Sequence, residues 1–284
     1  MKLRLLLMAV LTAAILFPTF LLAQGGDMDD PLNPKSGTKA IYMGPVVGYN
    51  RSMHSVNLAS FAQDPLCPFF ENGSSNGFHV GFFYEQILGD AKSQHSLVGR
   101  VLFNSMPSYF EKVGDTYPSL VDDGKGGYTT VNSSTKHTVD VSYSMASLDI
   151  MYKFRAVLGL VLTVGPTIDF VLKKELTQKY MIIEPDYVQF KVVPNSPYRY
   201  EDNNRTIVVY GKGILPGDGD IGKGGNSAST RFGLKLGAQY EIITGSTINF
   251  IPGIFYNMGL TNAADLESWK VSAIQASVDI RFAL

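Results

Sequence analysis

The residues of this sequence best able to act together are charged side chains of both signs on the polar face of alternating segments. If those segments are strands of one closed sheet, these side chains point inward. They must then neutralise one another, because an unpaired charge away from water is very costly. The predicted network consists of Glu85, Arg100, Asp149, Asp169, Arg231, Lys235, Glu241, Asp279 and Arg281. We expect packed salt bridges that stabilise the sheet; the alternative is a narrow polar conduit for ions or small solutes.

Signals for catalysis or cofactor binding are weak. The four histidines show no metal-ligand spacing, and no Gly-x-Ser-x-Gly elbow is present. The glycine-rich segment 217–225 resembles neither a P-loop nor a complete calcium loop. A hydrolase or lipid-modifying enzyme would need a Ser, a His and an acid close together at the loop end of the closed sheet. The candidates are His54, His137, Ser52, Ser134 and Asp140. We therefore predict no catalytic residues, no metal and no cofactor.

The elements that would position these side chains are strands, because eight segments alternate apolar and polar residues with a period of two. They lie near 41–50, 78–85, 97–104, 137–154, 158–173, 230–242, 247–258 and 274–284. The segment 137–154 changes phase, since Val139 to Met145 share one parity and Leu148 to Phe154 share the other. A one-residue slip exchanges the two faces of a strand, so this change predicts a β-bulge near Met145–Ser147.

The links between these segments alternate between short and long. Short links are expected at Gly89–Ser93, Arg155–Val157 and Thr244–Ser246; long ones at 52–76, 107–135 and 174–228; and an intermediate one at 260–268. An up-and-down antiparallel sheet then carries its tight turns at one end and its long loops at the other. The loop 174–228 holds further strand-like runs, which would either form an external hairpin or raise the strand number to ten.

The N-terminus has the layout of a secretory signal peptide. Lys2 and Arg4 precede an apolar run to Leu22, with a small residue, Ala23, before Gln24. This predicts a signal peptide at 1–23, a periplasmic segment at 24–38 and a β-domain at 39–284; a retained membrane-anchor helix is the alternative. The lone Cys67 excludes an intramolecular disulfide, and a net charge of −1 gives no support for nucleic-acid binding.

Three features favour an eight-stranded antiparallel up-and-down transmembrane β-barrel over a secreted lipocalin-like or sandwich protein. The strands are about 10–14 residues long, and spanning a bilayer needs ~9–11 tilted residues. The polar faces mix both charge signs with glycine, as suits a narrow interior. Aromatic residues recur near strand ends, as in the girdles of barrels. They are Tyr49, Tyr84, Phe103, Tyr152, Phe170, Tyr240, Tyr256, Trp269 and Phe282.

Several glycine-aromatic stretches carry a family resemblance: 77–85, 164–166, 232–237 and 256–262. Over residues 38–284 the chain resembles the outer-membrane β-barrel domain family that includes PorT-like proteins. The resemblance implies a place in the bacterial outer membrane, and it alone suggests a component of a protein secretion apparatus. Expected partners are outer-membrane lipid, the barrel-insertion machinery and other envelope proteins at the external loops. A closed barrel that acts through its loops in structural, adhesion or recognition roles is the first hypothesis, and a porin-like channel is the second.

Overall fold

The computed structural model describes residues 41–59, 69–89, 93–156, 159–195, 198–212, 228–242, 248–264 and 268–283. All strand pairing there is antiparallel and no helix is present, so the all-β prediction is confirmed. The described residues include no helix that is both long and apolar enough to cross a bilayer. The predicted signal peptide at 1–23 and the segment 24–38 lie outside these residues and stay predictions.

The described chain forms eleven strands in one sheet. They are β1 (Ile41–Ala59), β2 (Phe69–Ile87), β3 (His95–Ser105), β4 (Ser108–Asp122), β5 (Tyr128–Arg155), β6 (Leu160–Glu184), β7 (Arg199–Glu201), β8 (Thr206–Lys212), β9 (Thr230–Tyr240), β10 (Ile248–Gly259) and β11 (Lys270–Ala283).

Eight of these described strands pair in a circuit, which we call the ring. The order is β1–β2–β3–β5–β6–β9–β10–β11, and β11 pairs with β1 again. The described strands β7 and β8 attach to one another and to β6 beyond the ring, so they do not raise the ring to ten strands. The end of β2 and the start of β3, the end of β5 and the start of β6, and the end of β9 and the start of β10 lie at one end of the ring, which we call the turn end; the opposite end is the loop end.

Two of the predicted long loops, 52–76 and 107–135, are largely strand among the described residues, and the loop prediction was wrong there. β3 and β4 pair with β5 in one continuous register, from Ser105↔Ser144 to Ser108↔Val141, so 107–135 is a tall hairpin. In 174–228, β6 runs on to Glu184 and pairs with β8, so over the described residues the strand-like runs form a hairpin, which is the first of the two predicted alternatives. Together with the loop-end halves of β1 and β2, these strands form a wall that we call the extension. Backbone hydrogen bonds between strands form equally well whether the side chains are polar or apolar. A polar composition was therefore not sufficient evidence for a loop.

The predicted bulge was assigned to the wrong strand. On β5 the odd-numbered residues from Ser133 to Lys153 all point inward, so β5 keeps its phase. The register instead shifts where Ser144 faces Lys173 and Met145 faces Val171, which leaves Leu172 as the extra residue on β6. The apparent phase change arises because the interior lining turns from polar to apolar along β5.

The outer face of the ring carries a band of exposed apolar side chains. Phe82 is 69% exposed, Ile254 64% and Val101 57%, on strands spread around the ring. The band ends towards the loop end, where Arg51 and Ser142 face outward. Tyr49, Tyr240 and most other predicted girdle residues lie at the surface, but Trp269 is fully buried, so its assignment to a girdle was wrong.

We predict that Gly81→Val disrupts the ring. A Cβ at Gly81 would lie 2.0 Å from the Val101 carbonyl oxygen and 2.8 Å from the Leu102 Cα, both backbone atoms of β3. The cost should be roughly 1–3 kcal/mol of unfolding free energy, since overpacking forces backbone shifts. The matched control is Gly99→Val, because a Cβ at Gly99 meets nothing within 4 Å. Urea unfolding in detergent measures both; equal midpoints for the two variants would contradict the predicted close approach.

Candidate functional site

All nine predicted charged residues point into the ring, positioned by the inward parity of their strands. Eight of them are buried, and the side chain of the ninth, Glu241, is 7% exposed. Two further cations, Lys153 and Arg155, join them, although the sequence prediction omitted both. The sequence pattern could have identified Lys153 as inward-facing, because it lies between Tyr152 and Phe154 and shares the odd-numbered parity of Asp149.

Five of these groups form a cluster at the turn end. The Lys153 Nζ lies 2.9 Å from Glu85 Oε2 and 2.9 Å from Glu241 Oε1, and so bridges the two carboxylates. Arg155 approaches Glu85 to 2.6 Å, and Arg281 approaches Glu241 to 2.8 Å. Because each carboxylate meets more than one cation, this end of the ring is cross-linked by charge-assisted hydrogen bonds.

Three separate ion pairs follow towards the loop end. Arg100 meets Asp279 at 2.5 Å, Lys235 meets Asp149 at 2.5 Å, and Arg231 stands 3.9 Å from Asp169. The Arg100 guanidinium also lies over the Phe255 ring, 4.5 Å from its centroid. Lys235 is only 1% exposed and Arg100 only 2%, so side chains, and not open water, occupy this part of the interior.

A belt of neutral amides crosses the ring on the loop-end side of the Arg100–Asp279 and Lys235–Asp149 pairs, and Asp169 of the third pair contacts it by accepting from Ser147 at 2.6 Å. Gln275 Nε2 donates to Asn50 Oδ1 at 2.8 Å and to Asn104 Oδ1 at 3.1 Å. His79 Nδ1 donates to the same Asn50 oxygen at 2.7 Å. Asn104 in turn donates to Ser147. The belt links β1, β2, β3, β5 and β11 across the interior, so it braces the ring without charge.

Beyond the belt, towards the loop end, the interior is mainly apolar, and the buried Arg231 reaches into it, where its guanidinium donates to the Val271 carbonyl at 2.8 Å and lies 5.7 Å from the Tyr143 ring centroid. A buried cluster, which we call the cap, closes the loop end of the ring and fills the base of the extension. Its members are Val56, Phe70, Met106, Phe110, Val139, Val141, Tyr143, Met145, Leu176, Ala263, Ala264, Trp269, Val271 and Ala273. Sequence reasoning missed the cap because the lumen of a barrel is expected to be polar along its whole length.

His54 holds the cap together from its centre. Trp269 Nε1 donates to His54 Nδ1 at 3.2 Å, and His54 Nε2 donates to the Met106 carbonyl at 3.1 Å. Its ring meets those of Trp269, Tyr143 and Phe110 edge-on at 6.0–6.4 Å. This burial lowers the pKa of His54 to about 3. His54 is therefore a neutral connector between β1, the β3–β4 joint and the segment before β11.

The structure does not bring together the residues considered for a rim triad. His54 is engaged in the cap, whereas His137 stacks on Tyr180 with ring centroids 4.2 Å apart. Asp140 faces outward and is exposed. Among the described residues, no three His, Cys, Asp or Glu side chains lie close enough together to hold a metal ion. The glycine-rich segment 217–225 lies outside the described residues.

Comparisons with known proteins give a weak likeness to solved structures. Neisserial surface protein A (NspA) matches with a TM-score of 0.32 and 10% identity, over 86% of this chain and 97% of that chain. The outer membrane protein AlkL matches at 0.31 and 10%, over 91% and 96%. The outer membrane protease OmpT from Escherichia coli matches at 0.28 and 7%, over 86% and 96%. No family model and no curated protein matches, so the PorT-like resemblance stays a prediction.

We predict that replacing one partner of the Lys235–Asp149 ion pair destabilises the fold more than replacing both partners. Lys235→Met leaves Asp149 charged and buried, so the free energy of unfolding should fall by about 3–5 kcal/mol. Adding Asp149→Leu should recover part of that loss, because the double variant buries no uncompensated charge. Chemical unfolding of the two variants in one detergent measures the difference. A double variant less stable than Lys235→Met would contradict this role of the pair.

A second prediction concerns pH. The unfolded chain binds a proton at His54 below about pH 6.5, whereas the folded protein does so only near pH 3. The contribution of His54 to the free energy of unfolding is therefore fully present above about pH 6.5 and is lost as the pH is lowered towards 3. Between pH 7.5 and 5.0 the loss is about 2 kcal/mol. In His54→Gln, whose amide can both donate and accept, that decrease should be smaller by the same amount. An unchanged decrease in unfolding midpoints would contradict the connector role.

Proposed function

We propose that this chain is an integral protein of the bacterial outer membrane, an eight-stranded transmembrane β-barrel with a closed interior. In this proposal it acts through its extension in structural, adhesion or recognition roles. The observation that carries the proposal is the inverted sheet: ion pairs face inward and large apolar side chains face outward. A sheet protein in water shows the opposite arrangement, with its apolar face buried and its polar face solvated.

The band supports contact with lipid. Side chains such as Phe82, Val101, Ile254 and Phe232 are each more than half exposed, and they lie on four different ring strands. Leaving this much contiguous apolar surface in water would promote association. A closed ring also pairs its backbone polar groups internally, which is what a strand needs in order to cross hydrocarbon.

The interior supports closure rather than conduction. An eight-stranded barrel is just wide enough for side chains to fill. Here the turn-end cluster, the three ion pairs, the amide belt and the cap all fill the interior with side chains, and Arg231 joins its ion pair directly to the cap. A solute would have to displace charge-paired groups and then cross the apolar cap, so we do not favour the channel hypothesis.

The extension supports an external role. Its longest strand, β5, continues from Met145 to Tyr128, roughly 60 Å of strand at about 3.3 Å per residue. Leu120 and Tyr128, near the tip of the β4–β5 hairpin, are 72% and 75% exposed. Exposed apolar side chains at the tip of a rigid hairpin suit contact with another envelope or surface molecule. Outer-membrane lipid and the barrel-insertion machinery are the partners that the barrel itself would need.

Cysteine accessibility tests the topology. In a Cys67→Ser background, we expect Leu120→Cys to react with a membrane-impermeant maleimide on intact Gram-negative cells. Ser93→Cys, at the turn end, should react only after the outer membrane is permeabilised. Val80→Cys, in the band, should stay unreactive in the membrane and react after denaturation. Labelling of Val80→Cys in native membranes would contradict the proposal.

Conductance in planar bilayers tests closure. The purified protein should give no steady ion-sized openings, because the ion pairs and the cap obstruct the axis. The control is the same detergent without protein. Reproducible steps of uniform size would overturn the closed interior and favour the narrow channel, while leaving the membrane topology intact.

A further inference from the structure

We propose that the outer wall of the barrel carries a binding groove for one acyl chain of a phospholipid from the periplasmic leaflet. The inference rests on the proposed function, since it places the groove within the lipid-facing band. The groove is a hollow of about 670 Å³ across β6, β9, β10, β11 and β1. The hollow is open along the outer wall and is not an enclosed cavity, so it suits an extended chain that lies along the surface.

The hollow has a local cause in the sequence. Three outward-facing residues that line it have short or cyclic side chains: Ala238, Pro252 and Ala276. Ala238 and Ala276 flank β10, because both pair with Ile254. Most other outward positions of the band carry Leu, Ile, Val or an aromatic residue. The wall is therefore thinner here than at the outward positions that carry these larger side chains.

Pro252 adds a second cause. Proline has no N–H to donate to a neighbouring strand. β9 and β10 pair from Gly253↔Gln239 towards the loop end, and on the turn-end side they meet again only at the Ile242↔Phe250 bridge among the described residues. The ladder is thus interrupted beside Pro252, in the part of the wall that the hollow occupies.

The position of the hollow identifies its occupant. Apart from the inward-facing Gln239 and Ser277, every lining residue is apolar, glycine or Tyr240, so no group there selects a polar ligand. Tyr240 is 52% exposed and pairs with Leu160 at the turn end, which faces the periplasm in the proposed topology. Tyrosine favours the membrane–water interface. A chain in the groove therefore starts at the periplasmic headgroup level and runs towards the middle of the bilayer.

Retention must come from packing, because hydrocarbon gains no hydrophobic energy by leaving bulk lipid for a protein surface. Close contacts along the hollow add many small dispersion terms. Adding a large ring at its centre should remove that complementarity. Ala276→Phe is the direct variant, and Val101→Phe, an outward position of β3 away from the hollow, is the matched control.

Native mass spectrometry of delipidated, refolded barrel titrated with palmitoyl-oleoyl-phosphatidylethanolamine tests the inference. We expect one lipid to bind in preference to further copies, with affinity roughly tenfold weaker in Ala276→Phe and unchanged in Val101→Phe. Equal binding by both variants, or only unsaturable binding in proportion to lipid, would overturn the groove. Barrel dimers that Ala276→Phe dissociates would also overturn it and assign the hollow to a second copy.

Failure of the groove is distinguishable from failure of the proposed function. Each variant is first tested for heat-dependent gel mobility and for insertion into lipid vesicles. If the barrel inserts but shows no preferred lipid, the groove is wrong and the membrane assignment stands. If the refolded chain remains soluble without detergent and does not insert, the proposed function is wrong.

Discussion

The rest of the structure depends on the pairing of buried charge. Five carboxylates and six cations point into the ring, and each of them would be prohibitively costly there without a partner. Pairing across the interior fixes which strands must face each other: Arg100 on β3 reaches Asp279 on β11, and Lys235 on β9 reaches Asp149 on β5. These cross-interior pairs form only when the strands keep this register and the ring is closed.

The same strands meet two environments along their length. Within the band the outside is apolar and the inside is charged; beyond it the inside is mainly the apolar cap, and the outside mixes polar residues with exposed apolar ones such as Leu120 and Tyr128. β5 passes through this exchange without changing phase, whereas β6 takes up the difference with an extra residue at Leu172. His54 and Trp269 join the cap where the exchange occurs, so they tie the extension to the ring.

The sequence predicted much of this because a period of two is a strong local signal. Alternation located the ring strands and placed Glu85, Arg231 and Asp279 inward. It did not locate β4, because that strand contains many polar residues, and it left the continuation of β6 as one of two alternatives for the segment 174–228. The placement of Trp269 in the cap depends on contacts between segments distant in sequence, such as the one with His54, which periodicity cannot show.

The central claim is that the apolar band faces lipid, and a nitroxide scan along β2 from residue 72 to 85 tests it most directly. In bilayers, labels at Phe78, Val80, Phe82 and Tyr84 should be open to oxygen and closed to a water-soluble nickel chelate. Labels at Asn72 and Ser74, in the extension, should show the reverse. If the nickel chelate reached labels at Val80 and Phe82 as readily as those at Asn72, the band would face water and the account would be contradicted.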